Sequence, residues 1–444
     1  MTVASLRQEQ TESLSDAEKK YEMFLEWARH NGAYFHPSLR FVVTLNRGAE
    51  VLVTGQAIQP FETLFKVPYG ISLSYFNAVS GGVPGSPYLP HLEPLPEEYL
   101  QILVGYIQIL PQPDDTKDSA IPLLWSEKDL LWLRGTFLEE AVANQKTDHI
   151  KRWTEAVETP EIRLGCVPIH LCRELGLWAY YCFYSRYFWS IILEPDIANI
   201  KPEFQHLVKA GVNLDDTAKI LLPILETLNH AQETNTEYDL DDKCLSVSKN
   251  IELKPGDPFY IAYDKKTQRF DNTVLLKDFG FVLPDNEAAE LVLSSPFDLT
   301  RPMHPDHCVF SSAATVDDPY WTSEDKYLSL LTVRSPSLDR RGPINPDHPV
   351  RWLRHFNPTF VSMVSLREAN LRERATMRLE PQEIPLGRNV RATVQFICRC
   401  LRAMRREIDR HGRTLGEPQD ERQQRAYAYR QEQRAVLDEV FRDL

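Results

Sequence analysis

Apolar side chains recur at three- and four-residue intervals through Tyr21, Phe24, Leu25 and Ala28, and the run stops at Asn31-Gly32. That period predicts an amphipathic helix. Ser15-Asp16-Ala17-Glu18 ahead of it reads as a capping box, Ser15 accepting from an early helix amide while Glu18 reaches back. The period then falls to two. Strands are expected over 40–44, 51–54 and 63–67, with Asn46-Arg47-Gly48-Ala49 turning between the first two. Gly and Pro crowd 81–90 into a loop, 97–110 has a helical pattern, and 111–118 is a polar break. Leu123-Leu124-Trp125-Ser126-Glu127 opens a helix expected to reach Leu133-Arg134-Gly135-Thr136, and an aromatic-rich buried helix is expected over 171–193.

The pattern is most informative over 221–281. An apolar run enters Leu228-Asn229-His230, and an alternating strand ends in Lys254-Pro255-Gly256-Asp257. A second strand ends on Tyr263, a polar loop follows, and then come Asn272, Leu275, Leu276 and Gly280-Phe281. Beyond Pro284 the character changes. Residues 302–349 are rich in Pro, Asp and Ser, and from Val350 onward Arg-rich helical stretches dominate. The closing helix sets Ala426, Tyr429, Ala435, Val436, Val440 and Phe441 at helical spacing.

Composition narrows the function classes. At 444 residues the chain suits two or three domains. Hydrophobic residues at 43% and charged residues at 25% are globular values. A net charge of -13 argues against a dedicated nucleic-acid binder and permits a basic protein substrate, although surface solvation explains the same number. Seven cysteines without a CxxC pair read as free thiols in a reducing compartment, and Cys398-Arg399-Cys400 lacks the further cysteine a zinc tail needs. No apolar signal region or membrane-length span is seen, so a soluble intracellular protein is expected, cytoplasmic or nuclear.

The succession over 221–281 resembles the C-terminal half of a SET domain: Asn-His motif, strand, turn, strand, closing tyrosine, then Gly-Phe. Within that superfamily it is most similar to the group typified by Rubisco large-subunit lysine methyltransferase, which also includes an actin-histidine methyltransferase. Three other passages are similar to the same group: the opening helix FLEWARHNGAYF, the passage from Leu123 to Thr136, and Ser185-Arg186. The last helix resembles, more faintly, the close of that group's substrate-binding lobe.

The resemblance implies a cofactor, S-adenosyl-L-methionine, and roles for particular residues. Asn229 and His230 would hold the cofactor, with Glu226 beside them where the family usually has Asp. Arg186 would pair with the cofactor's carboxylate, since a planar guanidinium meets a carboxylate through two parallel bonds. Ser185 would line the substrate side. Tyr263 matches the tyrosine beside the transferred methyl, and a phenol is mostly protonated at neutral pH, so its role is positioning and dipolar stabilisation. Gly48 and Glu50 lie in the stretch matching a Gly-x-Gly cofactor turn, with one glycine missing. Phe279 stands where many relatives have Tyr, which keeps an aromatic face and loses a hydroxyl. Read alone, the same residues have plainer roles: a helix end at Asn229-His230, a core-packing Tyr263, an Arg186 that snorkels to the surface, a hairpin turn at Gly48.

Those readings imply an α+β chain: a SET domain of small β-sheets with a pseudoknot-type crossing, split by a helical insertion, and an all-α C-terminal lobe. The boundaries expected are 1–90 and 190–286 for the two SET parts, 91–189 for the insertion and 290–444 for a substrate-binding lobe. The activity implied is methylation of a protein lysine by a monomeric enzyme that engages neither nucleic acid nor membrane. Histidine N-methylation is the alternative within the fold, and a weakly active SET-fold interaction protein is the alternative outside catalysis.

Overall fold

A computed structural model describes residues 18–19, 21–44, 48–68, 71–72, 121–158, 181–183, 185–189, 219–232, 234–240, 244–263, 270–284, 286, 290–292, 332–334, 350–356, 361, 364–365, 368–370, 372–373 and 387–442. The chain divides into two units, Met1–Lys117 with His149–Arg269, and Asp118–Asp148 with Phe270–Leu444. Several expected features lie outside the described residues: the Ser15 cap, the loop at 81–90, the helix at 97–110, the break at 111–118, and nearly all of 302–349.

In the first unit the helix over 21–30 forms as its period predicts, burying Phe24 and Ala28. It ends where Asn31 and Gly32 return their amides to Trp27 and Arg29. Gly32 takes φ +89, a conformation open to glycine. Among the described residues nine short strands follow: β1 (Tyr34–Phe35), β2 (Leu39–Thr44), β3 (Gly48–Val53), β4 (Phe65–Pro68), β5 (Phe188–Trp189), β6 (Lys219–Ile220), β7 (Thr236–Leu240), β8 (Cys244–Lys249) and β9 (Pro258–Phe259). They form three antiparallel sheets, ordered β1-β4-β8-β7, β2-β3-β9 and β5-β6. Alternation sets the register. In β8, Leu245, Val247 and Lys249 are buried while Cys244, Ser246 and Ser248 are half-exposed. Phe65, Val67, Val247, Phe259 and the apolar run 221–228 close one core under these sheets.

Three expectations are corrected in this unit. Gly48 and Ala49 are not turn residues but begin β3, with Thr44 opposite Gly48. The aromatic helix does not continue to 193. The chain turns out of it at Ser185-Arg186, where both the amide and the hydroxyl of Ser185 donate to the Tyr181 carbonyl, and Phe188–Trp189 then pairs as a strand. The second strand of the motif is regular only over Pro258–Phe259 and reaches Tyr263 through a single bridge at Ile261.

In the second unit the expected helix from Leu123 is three short pieces: Pro122–Leu124, Glu127–Leu130 capped by Ser126, and Leu131–Leu133. Gly135 at φ +75 then turns the chain into a long helix, Phe137–Glu158, which the mixed pattern of its sequence does not announce and whose residues from His149 onward count with the first unit. Asn272–Val274 widens into a π-helical turn, Leu275–Phe279, closed by Gly280 at φ +77. Strands β10 (Glu290–Val292) and β11 (Thr332–Arg334) pair with each other. The C-terminal helices Arg388–Gly412 and Glu421–Arg442 pack through Phe396, Ile397, Leu401, Met404, Val436 and Val440. Ala435 is exposed, and Leu437 takes the buried position instead.

Candidate functional site

The apolar run 221–228 folds in an unusual way. Ile224 has φ +78, a region that a β-branched residue rarely enters, and its carbonyl is tied down by the Thr227 hydroxyl at 2.6 Å. The strained corner turns Leu225–Thr227 into one 3-10 turn, which carries Glu226 inward until its side chain is 2% exposed. Leu228 then returns to extended backbone. Asn229 accepts from the Ile261 amide at 3.0 Å, and Ala231 donates to the Ile261 carbonyl at 3.1 Å. His230 and Ile261 therefore run side by side in parallel, which fixes the Asn-His segment against the strand leading to Tyr263.

Tyr263 is held at both ends. Its amide donates to Nδ1 of His230 at 3.2 Å, so the neutral imidazole carries its proton on Nε2, and the two rings lie 5.0 Å apart. Its hydroxyl donates to the Leu228 carbonyl at 2.9 Å. Burial pushes this phenol well above its ordinary range, with Arg186 lowering it and Glu226 raising it. It stays protonated at neutral pH.

Arg186 comes from the turn that ends the aromatic helix. Its Nη1 donates to the Ser185 hydroxyl at 2.6 Å, its guanidinium lies 5.4 Å over the Tyr181 ring, and its Nε stands 3.5 Å from Oε2 of Glu226. The other Glu226 oxygen, Oε1, is buried and has no hydrogen-bond partner among the described residues. Burial raises this carboxyl to about 7 against the lowering pull of Arg186. Tyr21 and Cys182 sense the same pair. Burial first, then Glu226, raises the Tyr21 phenol, and burial lifts the Cys182 thiol to about 11.

Of the residues singled out in the sequence, Ser185, Arg186, Glu226, Asn229, His230 and Tyr263 are thus linked through one unit. Gly48 and Glu50 belong to β3, where Glu50 lies opposite Val42. Phe279 belongs to the second unit, its ring 5.8 Å from Phe270 and 6.4 Å from Phe281. Sequence reasoning did not assign roles to Tyr21, Tyr181 or Lys249. Lys249 occupies an inward position of β8, and its ammonium donates to the Thr234 carbonyl and to the Tyr260 carbonyl at 2.8 Å. It thereby bonds the chain just beyond the Asn-His motif to the chain just before Tyr263. Burial lowers it to about 8. The alternation of β8 was its only signal.

No protein-family model and no curated protein sequence matches the chain. Solved structures do. The SET domain of LSMT bound to lysine and AdoHcy superposes with a TM-score of 0.59 at 16% identity, covering 95% of this chain and 90% of that one. Rubisco LSMT bound to AdoMet gives 0.59 at 15%, and Rubisco LSMT bound to sinefungin and monomethyllysine gives 0.57 at 18%, with the same coverage. The chain therefore has the α+β SET-domain fold, small antiparallel sheets followed by a helical C-terminal region. Among the described residues no helix is long and apolar enough to cross a membrane.

Proposed function

We propose that the protein is an S-adenosyl-L-methionine-dependent protein methyltransferase whose acceptor is a lysine side chain. The observation that carries this reading is the Glu226–Arg186 pair beside Tyr263 in a SET fold: a buried carboxylate oxygen without a donor next to an arginine. A buried, unpartnered carboxylate oxygen is costly, so the site favours a cationic N–H donor. A guanidinium beside it favours a carboxylate. An amino-acid moiety bearing both groups, the methionine end of the cofactor, matches that donor set. Glu226, Arg186 and the Asn229-His230 segment would hold it, with Gly48 and Glu50 as further contacts and Ser185 toward the substrate.

When bound, the cofactor supplies an electrophilic methyl on a sulfonium. The residues of this chain do the rest. Tyr263 stays a neutral phenol, which suits it to orient an amine and stabilise charge by its dipole rather than to remove a proton. His230 holds the Tyr263 amide, and Lys249 bonds the two segments that run side by side there. Alignment supplies much of the rate in such a displacement. In this reading residues 290–444 form the lobe that receives the substrate protein, and the enzyme acts as a monomer.

Calorimetry of the folded full-length protein with S-adenosyl-L-methionine tests the cofactor. Peptides with lysine or histidine as the sole acceptor then test the residue methylated. Heat on binding and label on lysine alone support the proposal; label on histidine moves it to the other acceptor, and no heat sinks it.

A further inference from the structure

The helix Arg388–Gly412 has two faces of opposite character. Its buried face carries Val390, Ile397, Cys400, Leu401, Met404 and Ile408. On the other side Arg391, Arg399, Arg402, Arg406, Arg410 and Arg413 are all exposed, with Gln395 filling the one gap. Steps of three and four residues keep this row within about 100° of arc over about 33 Å at about 1.5 Å per residue. Seven arginines against Glu407 and Asp409 give the helix a net charge of +5, so the rest of the chain carries -18.

A solvated helix face ordinarily interleaves both signs. Here the neighbours along the row are alike: 399 with 402, 402 with 406, and 406 with 410. Such pairs repel one another. The acidic residues of this helix reach the row only at Arg410, since Asp409 goes to Arg405 and Arg434, and Glu407 to Arg410 and His411. Among the described residues, no carboxylate comes within ion-pair reach of Arg391, Arg399, Arg402, Arg406 or Arg413. Arg399 and Arg402 are instead laid over the Phe396 and Phe441 rings, 5.8 Å and 5.9 Å from their centroids. Those contacts orient the guanidinium planes without neutralising them.

We infer that this arginine row is a docking surface for an acidic helical segment of a partner protein, one with carboxylates at three- and four-residue spacing. A straight single row of planar forks matches carboxylates repeated along a second helix. A membrane would want apolar side chains between the arginines, and the row interposes only Gln395. Nucleic acid would meet a chain of net charge -13. The inference stands apart from methyl transfer, because its test reads binding alone.

The test is fluorescence anisotropy of full-length protein with a synthetic helix bearing glutamate at every third and fourth position. Arg399→Gln, Arg402→Gln, Arg406→Gln and Arg413→Gln are combined in one variant. A second variant places Lys at the same four positions. The Gln variant should bind at least about 10-fold more weakly at low salt, and the Lys variant should fall between. Wild-type binding should collapse near 1 M salt, where screening acts within about 3 Å. Equal binding by wild type and the Gln variant, with circular dichroism unchanged, overturns the inference. So does tighter binding to phosphatidylserine vesicles or to a single-stranded oligonucleotide than to the acidic helix. Should the Gln variant fail to fold, the Lys variant decides: undiminished binding counts for charge alone and against the fork.

Discussion

Glu226 makes the stability of this protein depend on pH in a direction opposite to most carboxylates. Its carboxyl is raised from an ordinary 4.5 to about 7, because burial outweighs the pull of Arg186. At about 1.4 kcal/mol for each tenfold change in proton affinity, ionising it in the folded state costs about 3 kcal/mol. Between pH 4.5 and 7 the folded chain keeps a proton on Glu226 that the unfolded chain has released. The contribution of this group to stability is therefore fully present below pH 4.5 and is lost as pH rises through about 7.

Glu226→Gln isolates the effect, since an amide has the shape of the protonated acid and does not titrate. Urea unfolding of both proteins at pH 5 and pH 8 cancels every other ionisation in the difference. The variant should gain up to about 3 kcal/mol on wild type between the two conditions. If the two proteins keep a constant gap, Glu226 titrates as an ordinary surface acid. The argument that its buried oxygen awaits a cationic donor then fails. A cationic donor would also pull the proton off Glu226, so cofactor binding near pH 7 should release protons in wild type and not in the variant.

Two further perturbations separate chemistry from scaffolding. Tyr263→Phe removes the hydroxyl that donates to the Leu228 carbonyl and keeps the ring. It should cost about 1 kcal/mol of stability, spare cofactor affinity, and lower single-turnover methylation on the order of 100-fold; unchanged turnover would assign the chemistry elsewhere. Arg430→Met, in the second unit, strips the donors from three carbonyls, the buried ones of Ile408 and Trp132 and the half-buried one of Arg134. It should lower unfolding free energy by about 3 kcal/mol, and an unshifted denaturation midpoint would show that water replaces the guanidinium there.

What the sequence discloses about the site is its local grammar. Asn229-His230, the alternation of β8 and the tyrosine after β9 stand within a few dozen residues of one another, and each leaves a periodic or motif trace. The partnership of Arg186 with Glu226 leaves none, because it joins the end of an aromatic helix to a 3-10 turn forty residues on. Apolar spacing counts helix positions but does not show the turn at Ser185-Arg186, where the helix gives way to the strand Phe188–Trp189. Ile224 at φ +78 is equally silent, since the strain is imposed by packing that the local sequence does not contain. Lys249 was visible only as an inward position bearing the wrong chemistry, a local conflict whose resolution in two carbonyls requires the fold.

The same distinction governs how the C-terminal region can be interrogated. Read from the sequence, residues 290–444 are set apart as a lobe, most of which a truncation near Val350 would remove. In the structure Ala426 and Tyr429 of the final helix share an apolar cluster with Trp125, Trp132 and Leu276. Gln423 donates to Asp129 at 3.1 Å, and Asn272 is bonded both to the Leu283 carbonyl and to Glu432. Cutting at Val350 would thus unroof segments far upstream, and a loss of binding or activity would report unfolding. Tyr429 is fully buried, and losing an aromatic of that kind from a core costs about 3–5 kcal/mol. The exposed arginines of the preceding helix are not members of that cluster. Replacing them one face at a time leaves the unit intact, and it is the perturbation that can tell a docking surface from a wall.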